Sequence, residues 1–142
     1  MTTDLQLPDV NVLVALTNSS HVHHRRAHAW WPTAERWATT AITESAFIRL
    51  MLNPAVTGRP FGAGQVLSVL EGLRAQPGHA FLDDGSTLAA PRVDLAGLRG
   101  PQQVTDFHLV NLAASVGAVL VTLDARIPKT LGRSDQRHCL LI

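Results

Sequence analysis

Apolar residues recur along this chain in two alternating rhythms. Short runs rich in apolar and β-favouring residues, Leu5 to Pro8, Trp37 to Thr40, His79 to Leu82, Ala118 to Thr122 and Cys139 to Leu141, predict β-strands. Between them lie stretches with helical spacing. Val10, Leu13 and Val14 predict a helix over Asn11 to Leu16, stopped by Thr17-Asn18-Ser19-Ser20. A second helix runs from His23 to Trp31 and ends at Pro32, and a third runs from Thr43 to Leu52 and stops at Asn53-Pro54. The Gly- and Pro-rich stretch from Thr57 to Gly64 reads as a loop before an amphipathic helix over Gln65 to Arg74. The segment from Asp83 to Gly100 reads as mixed loop and short helix. Val104 to Val116 predicts a strong helix with Thr105 as N-cap and Gly117 as C-cap, and a short helix comes next over Ile127 to Leu131. Strands alternating with helices predict a three-layer α/β/α fold with a central parallel sheet, forming one domain over residues 1–142.

Four acids stand at informative places in that pattern. Asp9 and Asp124 fall at strand exits, and Glu44 and Asp106 lie in the first turns of two helices. Each alone has an ordinary explanation as a helix cap, a partner of the helix dipole or a turn residue. Together they have another. A carboxylate at the C-terminal end of a parallel strand points into the crevice where α/β sheets bind ligands. Four carboxylates meeting there repel one another unless cations neutralise them. An all-oxygen donor set suits Mg²⁺ or Mn²⁺, which points to chemistry on phosphates.

The segments PDVNVLVAL, ITESAFIRLMLNP, VTDFHLVNLA and LVTLDARI resemble, in order and spacing, the four motifs of PIN-domain ribonucleases, and most of all the VapC toxins of bacterial toxin–antitoxin pairs. The resemblance spans nearly the whole chain. It implies that Asp9, Glu44, Asp106 and Asp124 bind the metal and carry catalysis, with Asn11 and Thr122 orienting the acids or a bound water. It implies hydrolysis of single-stranded or loop RNA to a 5′-phosphate and a 3′-hydroxyl, with one or two metal ions sharing the work. It also implies a homodimer and a cognate antitoxin that blocks the site. Two rivals stay open: a metal-dependent phosphatase, which Asn11 disfavours where a D-x-D pair is needed, and a catalytically silent PIN-like module that binds RNA or protein.

Composition narrows the setting. The chain is 46% hydrophobic and 16% charged, so part of its apolar surplus suits an oligomer or partner interface. A formal net charge of +1 leaves nucleic-acid binding to a local patch, for which Arg25, Arg26 and Arg49 are the candidate phosphate contacts. The single cysteine, Cys139, excludes a disulfide framework. The first twenty residues carry Asp4 and Asp9 and lack a basic leader, and no run approaches the roughly 20 apolar residues of a membrane span. The expected location is the cytoplasm. His21, His23, His24 and His28 form a cluster with i, i+4 spacing, better explained as a solvated helix face than as a zinc site lacking further ligands. Trp30, Trp31 and Trp37 suit core or interface burial better than base stacking.

Overall fold

The computed structural model describes residues 4–142. Five strands, β1 (Leu5–Pro8), β2 (Trp37–Thr40), β3 (His79–Leu82), β4 (Ala118–Thr122) and β5 (Cys139–Leu141), pair in parallel in the order β3-β2-β1-β4-β5. The chain therefore builds outward from β1 in one direction, then returns to β1's other side and builds the opposite way. That reversal makes the β1/β4 junction the topological switch point, where an open α/β sheet leaves a crevice beyond its strand ends.

Helices cover both faces. α1 (Val10–Thr17), α2 (His24–Trp30), α3 (Ala41–Met51), α4 (Pro54–Thr57) and α5 (Ala63–Arg74) precede β3, whereas α6 (Val104–Val116) and α7 (Arg126–Thr130) flank β4. Alternation along each strand sends neighbouring side chains to opposite layers. Trp37 and Val121 join the core with Val12, Leu13, Phe47, Val66 and Leu70, while Ala38, Leu7 and Leu120 join Phe107, Leu109, Leu112 and Ile127. Two cores on one sheet make the three-layer architecture that the sequence pattern predicts.

Local chemistry explains several boundaries. Thr40 and Thr43 cap α3 reciprocally: the Thr40 hydroxyl accepts Thr43 N–H at 3.1 Å, and the Thr43 hydroxyl accepts Thr40 N–H at 2.9 Å. α6 ends at Gly117, whose φ of +70° is a left-handed value open to glycine. Its start differs from expectation. The N-cap is Gln103, and Thr105 lies inside the helix, because a 3₁₀ turn over Pro101–Gln103 leads directly into α6.

Pro54–Thr57 add a short helix where the sequence reads as a stop, α5 begins at Ala63, and residues 83–100 hold no helix. Side chains from α6 and beyond tie down this backbone instead. Buried Asn111 accepts Arg92 N–H at 2.7 Å and donates to the Thr87 carbonyl, and Asp135 accepts Asp94 N–H at 2.8 Å. At Gly97 the chain passes so close to Thr130 that an added Cβ would lie 1.8 Å from its carbonyl oxygen. The segment is thereby pinned against the end of α7.

Candidate functional site: an acidic crevice at the switch point

The β1/β4 register places the ends of both strands side by side, Pro8 opposite Val121. Asp9 continues that pairing, donating its N–H to the Val121 carbonyl at 2.8 Å. It also begins α1, and its carboxylate accepts Val10 N–H at 2.7 Å. The ordinary role as a helix cap is therefore real, yet it leaves a carboxylate only 6% exposed. Burial raises its pKa above the usual carboxylate range, Asp124 raises it further, and hydrogen bonds from Val10 and Thr122 oppose the rise.

Thr122 occupies a linking position. Its buried hydroxyl accepts Asp124 N–H at 3.0 Å, which leaves the hydroxyl proton for the Asp9 carboxylate. Asp106 projects from the first turn of α6. Burial, then Asp9, then Asp124 push its carboxyl up to about 6, against the pull of Arg126. Three aspartates from β1, α6 and the β4 exit thus repel one another across one crevice. The Cys139 thiol feels Asp9 and Asp106 as well; burial and those charges push it up to about 12, so it stays a protonated, inert thiol.

Two of the four expected acids are engaged by arginine. Arg126 grips Asp124 through its Nε and Nη2 at 2.8–3.2 Å, and this bonding holds the Asp124 carboxyl below the usual range. Glu44 lies just past the end of β2, where Arg74 of α5 donates to both carboxylate oxygens at 3.0 Å and the Thr39 hydroxyl donates at 2.6 Å. Among the causes of the shifts at Asp9 and Asp106, Glu44 does not figure. Among the described residues no three His, Cys, Asp or Glu side chains are grouped closely enough as they stand to hold one ion. The structure therefore brings Asp9, Asp106 and Asp124 into mutual influence and draws Glu44 aside.

A cavity of about 630 Å³ opens beside Asp106 and Asp124, with Phe107 and Ile127 in its lining. Asn11 is exposed in the first turn of α1, next to this edge of the sheet. Arg25, Arg26 and Arg49 lie outside the cavity lining; Arg26 donates to the Ile142 carbonyl. The cations that do line it, Arg126 and Lys129, were not singled out by sequence reasoning, although Arg126 lies within the segment LVTLDARI.

Residues 7–131 match the family model described as PIN domain. This chain belongs to the PIN-domain family. Its similar relatives include Ribonuclease VapC38 of Mycobacterium tuberculosis (strain ATCC 25618 / H37Rv), 42% identical over 87% of both chains. Ribonuclease VapC39 and Ribonuclease VapC44 of the same strain are each 36% identical, the first over 85% of this chain and 89% of the relative, the second over 87% and 89%. The match to the PIN model takes in all four acids, Asn11 and Thr122.

The histidine cluster has a structural role. His24 Nδ1 and His28 Nε2 lie 2.7 and 3.1 Å from the carbonyls of Ala15 and Leu16, in the last turn of α1. A carbonyl only accepts, so each ring donates and satisfies an orphan group at the helix end. The tryptophans are likewise structural: Trp30 donates to buried Gln6 at 2.6 Å, and Trp37 is fully buried between the rings of Trp31 and His79. Trp37 Nε1 has no hydrogen-bond partner among the described residues.

Proposed function

We propose that this PIN domain is a metal-dependent endoribonuclease and the toxin of a toxin–antitoxin pair. The observation that carries the chemistry is the gathering of Asp9, Asp106 and Asp124 at the switch point, where burial first, and then the charges of Asp9 and Asp124, push the Asp106 carboxyl up to about 6. Such repulsion persists in a fold when something positive is meant to relieve it. The matched relatives named as VapC ribonucleases supply the reaction class.

The all-oxygen donor set fits Mg²⁺ or Mn²⁺, with Asp9, Asp106 and Asp124 as its first ligands and Glu44 joining on release from Arg74. A bound divalent ion would neutralise the phosphate oxygens and activate water for in-line attack. The chain's own residues do the positioning. Thr122 holds Asp9 and the Asp124 backbone in one register. Arg126, once it leaves Asp124, is free to meet a phosphate with a planar pair of donors. Asn11 stands two residues beyond Asp9 to orient the acids or a water. Arg25, Arg26 and Arg49 form an outer rim for more distant phosphates.

The same reading gives the protein an antitoxin partner that covers the crevice, a homodimeric state and a cytoplasmic site of action. Among the described residues no helix is long and apolar enough to cross a membrane. The pairing of Glu44 and Asp124 with arginines favours one rival, a silent RNA- or protein-binding module. Cleavage of single-stranded RNA by the purified protein with Mg²⁺ or Mn²⁺, beside EDTA and Asp9→Asn controls, decides between them. Metal-dependent cutting lost in Asp9→Asn supports the nuclease; metal binding without cutting on a broad RNA panel supports the module.

A further inference from the structure

The cavity beside the acids is asymmetric in a way that the metal chemistry does not use. One end carries Asp106 and Asp124; the α7 side carries Arg126 and Lys129, three residues apart and so on one helical face. Lys129 is exposed and is the chain's single lysine; it makes no ion pair among the described residues. The floor is apolar, with Phe107 and Ile127 only 2% and 5% exposed.

The remaining wall holds two glutamines with different fates. Gln103 is fully engaged: its Oε1 accepts the N–H groups of Arg99 and Gly100 at 2.7 and 3.0 Å, and its Nε2 donates to the Gly97 carbonyl. Gln102, exposed at the rim, makes no side-chain hydrogen bond among the described residues and presents a donor and an acceptor side by side. That pairing is the pattern by which an amide meets the edge of a base. The wall itself is held still by Gln103 and by the close approach of Gly97 to Thr130.

We propose that this cavity is the subsite for one nucleotide of the substrate strand, the nucleotide adjoining the scissile phosphate. The proposal rests on the ribonuclease function proposed for the acids. At about 630 Å³ the cavity lies within the ~300–1,000 Å³ range of small-ligand sites, ample for a single nucleotide. Lys129 and a released Arg126 hold its phosphate, the Phe107–Ile127 floor takes the apolar faces of ribose or base, and Gln102 meets a base edge. The acids at the other end receive the bond to be cut. Single-strand recognition commonly combines such a cationic edge with an apolar surface.

The test compares binding of a short single-stranded RNA by the Asp9→Asn protein with binding by the same protein carrying Lys129→Ala. Binding is measured from about 50 to 200 mM salt, and wild-type cleavage is assayed in parallel with Mn²⁺. Lys129 is exposed, so its replacement leaves the fold intact, and Arg92→Ala, outside the cavity, is the charge control. The expected result is a roughly three- to tenfold weaker affinity for Lys129→Ala, uniform across RNA sequences, with the salt slope reduced by about one and Arg92→Ala unchanged. Cutting by the wild-type protein together with unchanged affinity in Lys129→Ala, or equal loss in Arg92→Ala, overturns the subsite and leaves the nuclease standing. Absence of metal-dependent cutting by the wild-type protein overturns the ribonuclease function and the subsite with it.

Discussion

Two polar clusters lie at the same edge of the sheet, and they are built on opposite logic. At the β2/β3 edge every charge has an answer: Glu44 is bonded by Arg74 and Thr39, the Thr39 hydroxyl also lies 2.8 Å from His79 Nε2, and Arg74 stacks over Phe81. At the β1/β4 switch point three carboxylates repel one another, and the hydrogen bonds of Val10 and Thr122 to Asp9 and the cation Arg126 leave Asp9 and Asp106 still shifted upward. The first arrangement holds its acid in a paired state, which ties α3 to α5 for as long as Arg74 stays on Glu44. The second lowers the stability of the fold and makes sense as a site awaiting a cation. A carboxylate's function is thus told by what is left unanswered around it, more than by its presence.

The strongest way to break the contrast is Asp106→Asn. At the switch point this change should reduce RNA cleavage at least about a hundredfold, the scale of losing one electrostatic contact to the reacting group. It should also raise the metal-free melting temperature at neutral pH, since one of three repelling charges is gone. Thermal melts beside cleavage rates check both. A fall in melting temperature would mean that Asp106 is held by compensating contacts, as Glu44 is.

Glu44 tests the contrast from the other side. Glu44→Gln should lower cleavage by at least about tenfold, as loss of a group around a metal does. Arg74→Ala, which frees Glu44, should strengthen Mn²⁺ binding modestly while weakening the β2/β3 edge. If Arg74→Ala left metal affinity unchanged and Glu44→Gln kept full activity, Glu44 would be structural and the site would be three aspartates.

The pH dependence separates the clusters more gently. Because the folded Asp106 carboxyl sits at about 6, above its ordinary 3.8, its ionisation works against the fold. The fold has the full benefit of the protonated carboxyl below about pH 4 and loses it as pH rises through about 6. Asp124 is shifted the other way by Arg126, so it favours the fold above its ordinary range and ceases to as pH falls. Denaturation curves of metal-free wild type minus those of Asp106→Asn isolate the first effect, which should grow between pH 4 and 6 and then level off. A flat difference would mean that neither burial nor the neighbouring aspartates raise the Asp106 carboxyl.

The smallest effect belongs to the histidines. His28→Ala should cost about 1 kcal/mol through the lost cap on α1 and leave Mn²⁺ affinity unchanged. A loss of metal binding would draw the cluster into the site.

The strands and most helices were legible because their apolar spacing is dictated by what each face must bury. All five strand spans read from the pattern coincide with those in the structure, Leu5–Pro8 and Ala118–Thr122 among them. Residues 83–100 were not legible, since their course is set by Asn111 and Asp135, which reach back from distant positions to bond the backbone. In the site, Asp9 and Asp124 could be placed because they follow the ends of β1 and β4 within two residues, and strand ends define an edge. The state of Glu44 could not, because Arg74 is thirty residues away and nothing local announces their meeting. The place of Arg126 and Lys129 in the site was illegible for a related reason: two cations in a short helix have no meaning until the cavity beside them is seen.

Titration of Mn²⁺ into the protein by calorimetry asks whether the aspartates at the switch point form a cation site. If they do, the wild-type protein binds Mn²⁺ with an affinity that weakens as pH falls below about 6 and is lost in Asp9→Asn and Asp106→Asn. Binding that persists unchanged in both variants, or no binding to the wild-type protein at neutral pH, would show that these aspartates hold no cation.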